Sequence, residues 1–151
     1  MLITNPNKPN QDNFLIKSNP NDNTHIFAVA DGHGSHGHYV SQLSINSLEK
    51  MYDQKYRQYK NAESFYKDAF DSIQNELFEI EEFNAHTSGT TMVSFILENN
   101  MNLTCANVGD SRAILARQSK HDPTKLIGRI GKSSTSQKII SLPWRRRRRG
   151  Y

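Results

Sequence analysis

The segment from Phe27 to His36 places the strongest constraint on how this chain folds. Its sequence, FAVADGHGSH, is an apolar run that ends in Asp31 and continues into a glycine-rich stretch around His33. A nearly continuous apolar run predicts a strand covered on both faces, and the glycines let the backbone turn and approach a ligand closely. A carboxylate at a strand end beside a backbone carbonyl supplies the oxygen ligands that Mg²⁺ or Mn²⁺ prefers. His33 is then placed for proton transfer beside such an ion.

The pattern along the rest of the chain predicts an α+β fold. Alternating apolar residues and turn clusters predict strands at residues 12–17, 24–31, 90–97, 101–108 and 111–117. Apolar residues at helical spacing predict two helices that pack on a sheet, at residues 36–59 and 62–83. The first two strands are predicted to form a hairpin. The last three are predicted to form an antiparallel meander that turns first at Asn99 and Asn100, since asparagine tolerates positive φ.

Composition narrows the class of protein. The chain has 151 residues, about one domain, and no apolar run long enough to span a bilayer. The N-terminus lacks the basic and apolar segments of a secretory signal, and the single cysteine, Cys105, fits a reducing compartment. We therefore expect a soluble protein of the cytoplasm or nucleus, with Cys105 a buried apolar filler.

The net charge of +4 comes from one short segment. Arg145 to Arg149 supply five of the 19 basic residues, so residues 1–144 carry 14 basic against 15 acidic residues. This balance argues against a nucleic-acid-binding domain, whose positive charge would be spread over a folded face. The arginine run could bind RNA, anionic lipid or an import receptor, but a disordered end is the favoured interpretation.

Each candidate site residue also has an ordinary structural explanation. Asp31 could cap a helix, Asp12 could simply open a strand, and Asp110 sits in a Gly-Asp turn. Arg112 could bind phosphate through its planar guanidinium, but an ion pair with a nearby carboxylate is the favoured interpretation.

Three closely spaced histidines could suggest zinc. The only cysteine lies far from His33, His36 and His38, and zinc sites usually combine separated Cys and His pairs. Beside aspartates, magnesium or manganese is the favoured metal. His36 and His38 are predicted to be exposed at the start of the first helix.

The order of the motifs adds to these single residues. Asn-Gln-Asp at residues 10–12 opens the first strand, and FAVADGHG at 27–34 ends the second. SGTT follows at 88–91 and ANVGDSRA at 106–113. This series closely resembles the metal-dependent protein phosphatases, the PPM-type or protein phosphatase 2C family, over roughly residues 8–117.

The resemblance implies a fold, a reaction and a set of roles. Family members are four-layer α-β-β-α sandwiches that hydrolyse phosphoserine and phosphothreonine on proteins with two Mg or Mn ions. By position, Asp31 would bridge the two ions, the Gly32 carbonyl would bind one of them, and Asp12 would hold its water shell. His33 would be the general acid, and Asp110 would hold a third, weaker ion in some members.

The resemblance also implies that parts of the family pattern are missing. The family has two further metal aspartates downstream, whereas after Asp110 the only acidic residue here is Asp122, which aligns with neither. The arginine expected before the first motif is absent, with Lys8 a possible substitute for binding phosphate. Gln11 stands where many members have a glutamate. We expect an incomplete sandwich resembling the N-terminal half of the domain.

Two functions therefore stay open. The first is a protein serine/threonine phosphatase in a truncated chain. The alternative is a catalytically inactive fragment that binds phosphoproteins or other partners. Residues 1–130 are expected to form the partial phosphatase domain, and residues 131–151 a disordered Ser/Thr- and Arg-rich tail.

Overall fold

The computed structural model describes residues 9–80, 87–118, 126–129 and 137–141. The helices are α1 (Gly37–Lys55), followed by a 3₁₀ turn (Tyr56–Gln58), and α2 (Ala62–Glu79). The strands are β1 (Asp12–Asn19), β2 (Thr24–His33), β3 (Gly89–Thr90), β4 (Met92–Glu98), β5 (Asn102–Val108), β6 (Leu115–Gln118), β7 (Leu126–Arg129) and β8 (Gln137–Ser141). The predicted α+β class is confirmed.

One large sheet dominates the described part of the chain. Its strands run in the order β1-β2-β4-β5-β8, with β3 paired to β2, and β6 and β7 form a separate pair. All pairings are antiparallel except that between β5 and β8. The predicted hairpin of the first two strands is confirmed, in a register that sets Asp12 opposite Asp31.

The second strand continues further than its sequence suggested. β2 includes Gly32 and His33 because β3 pairs with them, Gly32 opposite Thr90 and His33 opposite Gly89. The chain leaves the sheet only at Gly34, where φ is +84°. The hairpin between β4 and β5 does turn through positive φ at Asn99 and Asn100, as predicted.

Both helices pack on one face of the sheet. α1 contacts β1 and β2, and α2 contacts β5. Inward residues of four neighbouring strands form one buried row under the helices: Leu15, Ala28, Ser94 and Ala106. α1 ends four residues earlier than predicted. α2 begins as predicted at Ala62, where the Asn61 side chain caps it by accepting from the Ser64 N–H at 2.9 Å. Residues 81–83 of the predicted second helix lie outside the described residues.

The other face of the sheet is open near β1 and β2. Phe14, Ile16 and Val29 are 68%, 67% and 57% exposed, and they alternate with the residues that face the helices. Apolar side chains grouped in this way are typical of a surface that another layer covers. The described residues therefore form one helix layer and one large sheet of the expected sandwich, together with the small β6–β7 pair.

The predicted third strand of the meander is wrong. Residues 111–114 are not a strand, and β6 pairs with β7 while β8 lies beside β5. The turn at Gly109 explains the difference, since it redirects the chain and Ser111 is held in place. The Ser111 carbonyl accepts from Asn107 Nδ2, and its hydroxyl lies 2.7 Å from that of Thr91. β8 falls within the tail predicted to be disordered, most of which lies outside the described residues.

A polar contact is enclosed between α2 and the sheet. The Tyr66 hydroxyl lies 2.8 Å from Ser94 Oγ, which donates to the Phe27 carbonyl at 2.9 Å. Tyr66 and Ser94 are fully buried, and burial holds the pKa of the tyrosine well above its usual value. Because Ser94 has only one proton and gives it to the carbonyl, Tyr66 must be the donor to Ser94.

We expect Ser94→Ala to destabilise the protein more than Tyr66→Phe. The alanine leaves the buried Tyr66 hydroxyl without an acceptor, at a cost of ~1–3 kcal/mol, whereas the phenylalanine removes one bond worth ~1 kcal/mol. Urea unfolding of both variants and of the double variant measures the difference. A Tyr66→Phe cost equal to or above that of Ser94→Ala would contradict this donor assignment.

Candidate metal and phosphate site

Two carboxylates meet at the end of the hairpin. Asp12 opens β1 and Asp31 lies near the end of β2, and the two are direct partners in the register. Directly opposed residues share a face, so both side chains project from the face away from the helices, with Cβ atoms ~5 Å apart. Both aspartates are exposed. The sequence prediction that Asp12 and Asp31 lie close together is thus confirmed.

The negative charges of Asp12 and Asp31 are not balanced by an ion pair among the described residues, since none of those ion pairs involves either aspartate. Two like charges directly opposite each other are destabilising unless a cation lies between or beside them. The pair therefore suits a divalent cation better than it suits a purely structural role.

The same end of the sheet continues across two more strands. The Thr91 N–H donates to the Asp31 carbonyl at 2.9 Å. Beyond Thr91 lies Gly109, where an added Cβ would come within 2.8 Å of the Thr91 methyl carbon. Asp110 follows directly and is exposed in the turn. Asp110 therefore lies at the same end of the sheet as Asp12 and Asp31. The strand pairing does not place the Asp110 carboxylate beside these two aspartates.

The ligand set fits part of a metal centre. Within the described residues, no three His, Cys, Asp or Glu side chains form a group that could hold a metal ion. Asp12, Asp31 and the adjacent Gly32 carbonyl are oxygen donors of the kind that Mg²⁺ and Mn²⁺ prefer. These donors fit a partial oxygen site for such an ion.

A closely packed glycine turn follows the aspartate. A Cβ added to Gly32 would lie 2.3 Å from the Gly37 carbonyl oxygen and 2.6 Å from the Gln11 carbonyl oxygen. At Gly34, φ is positive and an added Cβ would meet the Thr87 carbonyl oxygen at 2.2 Å. These positions are closed to any side chain, so the glycines of the motif are required sterically as well as for the turn.

His33 lies on the same face as Asp31, two residues further along β2. Its ring packs over Gly89, where an added Cβ would come 2.8 Å from Nε2. The imidazole is exposed, so it can reach a bound substrate. Proximity to Asp31 and exposure are the two properties that a proton donor at this site needs.

The neighbouring histidines differ from their prediction. His36 and His38 are half-buried rather than exposed. The His36 N–H donates to Ser88 Oγ at 3.0 Å, and the His38 ring packs against Tyr39 with centroids 4.1 Å apart. His36 therefore joins the start of α1 to the segment before β3.

Other predicted residues are less informative. Arg112 is exposed and forms no ion pair within the described part of the chain, so the favoured carboxylate pairing is not seen there. Cys105 is buried, and burial raises the pKa of its thiol, as expected of an inert filler. Lys8, Asp122 and Arg145 to Arg149 lie outside the described residues.

Comparison with protein families gives a match over most of the chain. The family model Protein phosphatase 2C covers residues 5–127. The chain belongs to the protein phosphatase 2C family. The motifs at Asp12, at Asp31 to Gly34 and at Asp110 all fall within the matched residues, and protein phosphatase 2C enzymes are metal-dependent.

Curated relatives are found in plants and yeast. Probable protein phosphatase 2C 35 of Arabidopsis thaliana is 36% identical over 113 residues, which are 74% of this chain and 32% of that protein. Protein phosphatase 2C homolog 2 of Schizosaccharomyces pombe is 29% identical over 112 residues, 74% of this chain and 30% of its own length. The chain thus spans about a third of the length of these relatives.

Solved phosphatase structures share the fold. A bacterial serine phosphatase superimposes with a TM-score of 0.64 at 22% identity, over 85% of this chain and 57% of that one. A PPM Ser-Thr phosphatase from Mycobacterium smegmatis in complex with cacodylate gives 0.57 at 22%, over 80% and 46%. These likenesses support the fold expected from the motifs, an antiparallel sheet with two helices.

Sequence reasoning gave no structural role to three hydroxyl residues that hold the segments around the site, although two of them belong to the SGTT motif. Ser88 Oγ accepts from the His36 N–H, Ser41 Oγ donates to the Gln11 carbonyl, and the Thr91 N–H donates to the Asp31 carbonyl. Their signal was faint because serine and threonine are common in turns and helix starts. In the described residues, no helix is long and apolar enough to cross a membrane.

Proposed function

We propose that this chain is a metal-dependent phosphatase that acts on phosphoserine and phosphothreonine in proteins. The observation that carries the proposal is the pair of opposed carboxylates, Asp12 and Asp31, which form no ion pair within the described residues, with His33 two residues beyond Asp31. Membership of the protein phosphatase 2C family supports the same reaction class.

The aspartates and one carbonyl are the proposed metal ligands. Asp31 would bridge two Mg or Mn ions, the Gly32 carbonyl would bind one of them, and Asp12 would hold its water shell. Asp110 is proposed for a third, weaker ion. Divalent cations held by these residues would activate a water near neutral pH and would neutralise the oxygens of the phosphate.

The chain's own groups carry the remaining steps. The carboxylates of Asp12 and Asp31 fix the position of the positive charge, and with it that of the phosphoryl group. His33 donates a proton to the serine or threonine oxygen that leaves, which is a poor leaving group as an alkoxide. An imidazole suits this step because its ordinary pKa lies near neutrality.

The runner-up is a catalytically inactive fragment that binds phosphoproteins or other partners. Two observations favour it: the described residues supply only part of a metal centre, and one face of the sheet exposes Phe14, Ile16 and Val29.

We place either function inside the cell, in the cytoplasm or nucleus, a location that the single buried cysteine supports. A contact of Arg145 to Arg149 with nucleic acid or anionic lipid is the less favoured possibility.

We expect His33→Gln to lower turnover of a phosphothreonine peptide about 100-fold in the presence of Mn²⁺, because it removes the proton donor. The rate of phosphate release by the full chain measures this turnover. Chelation of Mn²⁺ should abolish phosphate release by the wild-type chain. The matched control is His25→Gln, at the opposite end of β2 beside Ser18, which should leave turnover unchanged.

Two other outcomes would contradict the proposed role of His33 or the proposed enzyme activity. If His33→Gln retains wild-type turnover, His33 is not the general acid. If the wild-type chain with Mn²⁺ releases no phosphate yet binds the phosphopeptide, the inactive binding module replaces the enzyme.

A further inference from the structure

Gln11 makes three hydrogen bonds around the glycine turn. Its side-chain Nε2 donates to the Gly34 carbonyl at 2.7 Å. Its backbone carbonyl accepts from the Gly32 N–H at 3.1 Å and from Ser41 Oγ at 2.7 Å. Gln11 directly precedes Asp12, so one residue links the start of β1, the turn after Asp31 and the first helical turn of α1.

Two glycines pack closely against Gln11. A Cβ added to Gly37 would lie 3.0 Å from Gln11 Nε2 and 3.2 Å from its Cδ. A Cβ added to Gly32 would lie 2.6 Å from the Gln11 carbonyl oxygen. Gly37 thus lies against the side chain of Gln11, and Gly32 against its main chain.

The chemistry of the contact requires an amide. The group that faces the side chain is the Gly34 carbonyl, which only accepts hydrogen bonds, so its partner must donate. Glutamate has the same length but is an acceptor when ionised, and it would repel the Gly34 carbonyl. Methionine has similar length and cannot donate at all.

We propose that Gln11 is a positioning residue: its amide locks the turn that carries Gly32 and His33 against the start of β1, and so fixes these groups relative to Asp12 and Asp31. The part of this inference that concerns metal binding rests on the proposed function. The part that concerns the turn stands on the hydrogen bonds themselves. No contact between Gln11 and an ion is required.

The test compares Gln11→Glu and Gln11→Met in the full chain without metal. Amide hydrogen exchange should accelerate about five- to ten-fold at residues 33–36 in both variants, the factor expected from one lost hydrogen bond, while exchange in β4 and α2 stays unchanged. The matched control is Gln42→Glu, an exposed position on α1 with the same change of charge, which should leave the turn unaffected.

A second readout measures Mn²⁺ affinity by calorimetry. Gln11→Met should weaken Mn²⁺ binding by a similar factor, because the turn is no longer held. Unchanged exchange at residues 33–36 in both variants would overturn the inference, as would a loosened turn with wild-type Mn²⁺ affinity. If the wild-type chain binds no Mn²⁺, the proposed function fails, while the exchange measurement still decides the role of Gln11 in the turn.

Discussion

Replacing Asp31 by asparagine is expected to lower Mn²⁺ affinity by roughly 100-fold or more and to bring phosphopeptide turnover below detection. The amide keeps the shape of the side chain but removes the charge that draws a cation to the hairpin end. Because Asp31 and Asp12 are opposed like charges, the metal-free variant should be slightly more stable, by a few tenths of a kcal/mol. Calorimetric titration with Mn²⁺ and urea unfolding measure the two effects.

A substitution with the same change of charge on α2 is the control for Asp31→Asn. Asp71→Asn removes the same charge from the exposed surface of α2 and should change neither Mn²⁺ binding nor turnover. If Asp31→Asn bound Mn²⁺ as tightly as the wild type, the carboxylate pair would not be the metal site. A marked loss of stability in the metal-free variant would instead indicate that Asp31 has a structural partner.

Replacing Gly32 by alanine is expected to destabilise the protein by ~3 kcal/mol or more, because the new methyl group meets backbone atoms that cannot move independently. Those atoms are the Gly37 carbonyl oxygen at 2.3 Å and the Gln11 carbonyl oxygen at 2.6 Å. Relief requires the start of α1 to separate from the start of β1, which also misplaces Asp12. Urea unfolding and Mn²⁺ titration should both show large losses.

A substitution in the same turn distinguishes crowding from general sensitivity. Ser35→Ala removes an exposed hydroxyl whose hydrogen-bond partner within the described residues is the neighbouring His36 ring, and it should cost less than ~0.5 kcal/mol. If Gly32→Ala were as mild as Ser35→Ala, the close packing of Gly32 against Gly37 would be wrong. If both were severe, the turn as a whole rather than Gly32 would be the sensitive element.

The hairpin was the part of the fold that sequence predicted best. Its two apolar runs are separated by a cluster of Asn, Asp and Pro, and short-range pairing of this kind depends little on the rest of the chain. The same reasoning failed at Ser111, where periodicity predicted a third meander strand. Hydrogen bonds of Ser111 with Asn107 and Thr91 redirect the chain there, and the contact with Thr91, 20 residues away in sequence, leaves no periodic signal.

The candidate site was likewise predictable only in part. Asp31, Gly32 and His33 could be chosen as candidates because a buried strand ending in glycines is a local pattern. The partner of Asp31 was only a candidate until the register set Asp12 opposite it. Gln11 was noticed as a departure from the family pattern, but its bond to Gly34 spans 23 residues of sequence and could not be read from its neighbours.

The sequence by itself determined the family and the hairpin and named the candidate oxygen donors, because these follow from local patterns and from the order of motifs. Only the tertiary structure decided that β2 continues through His33, that the Gln11 side chain bonds to Gly34, and that the apolar side chains of Phe14, Ile16 and Val29 are exposed. The physical reason is that register, close backbone packing and layer coverage depend on residues far apart in the chain. Such contacts are fixed by the whole assembly of strands and helices, and no single segment encodes them.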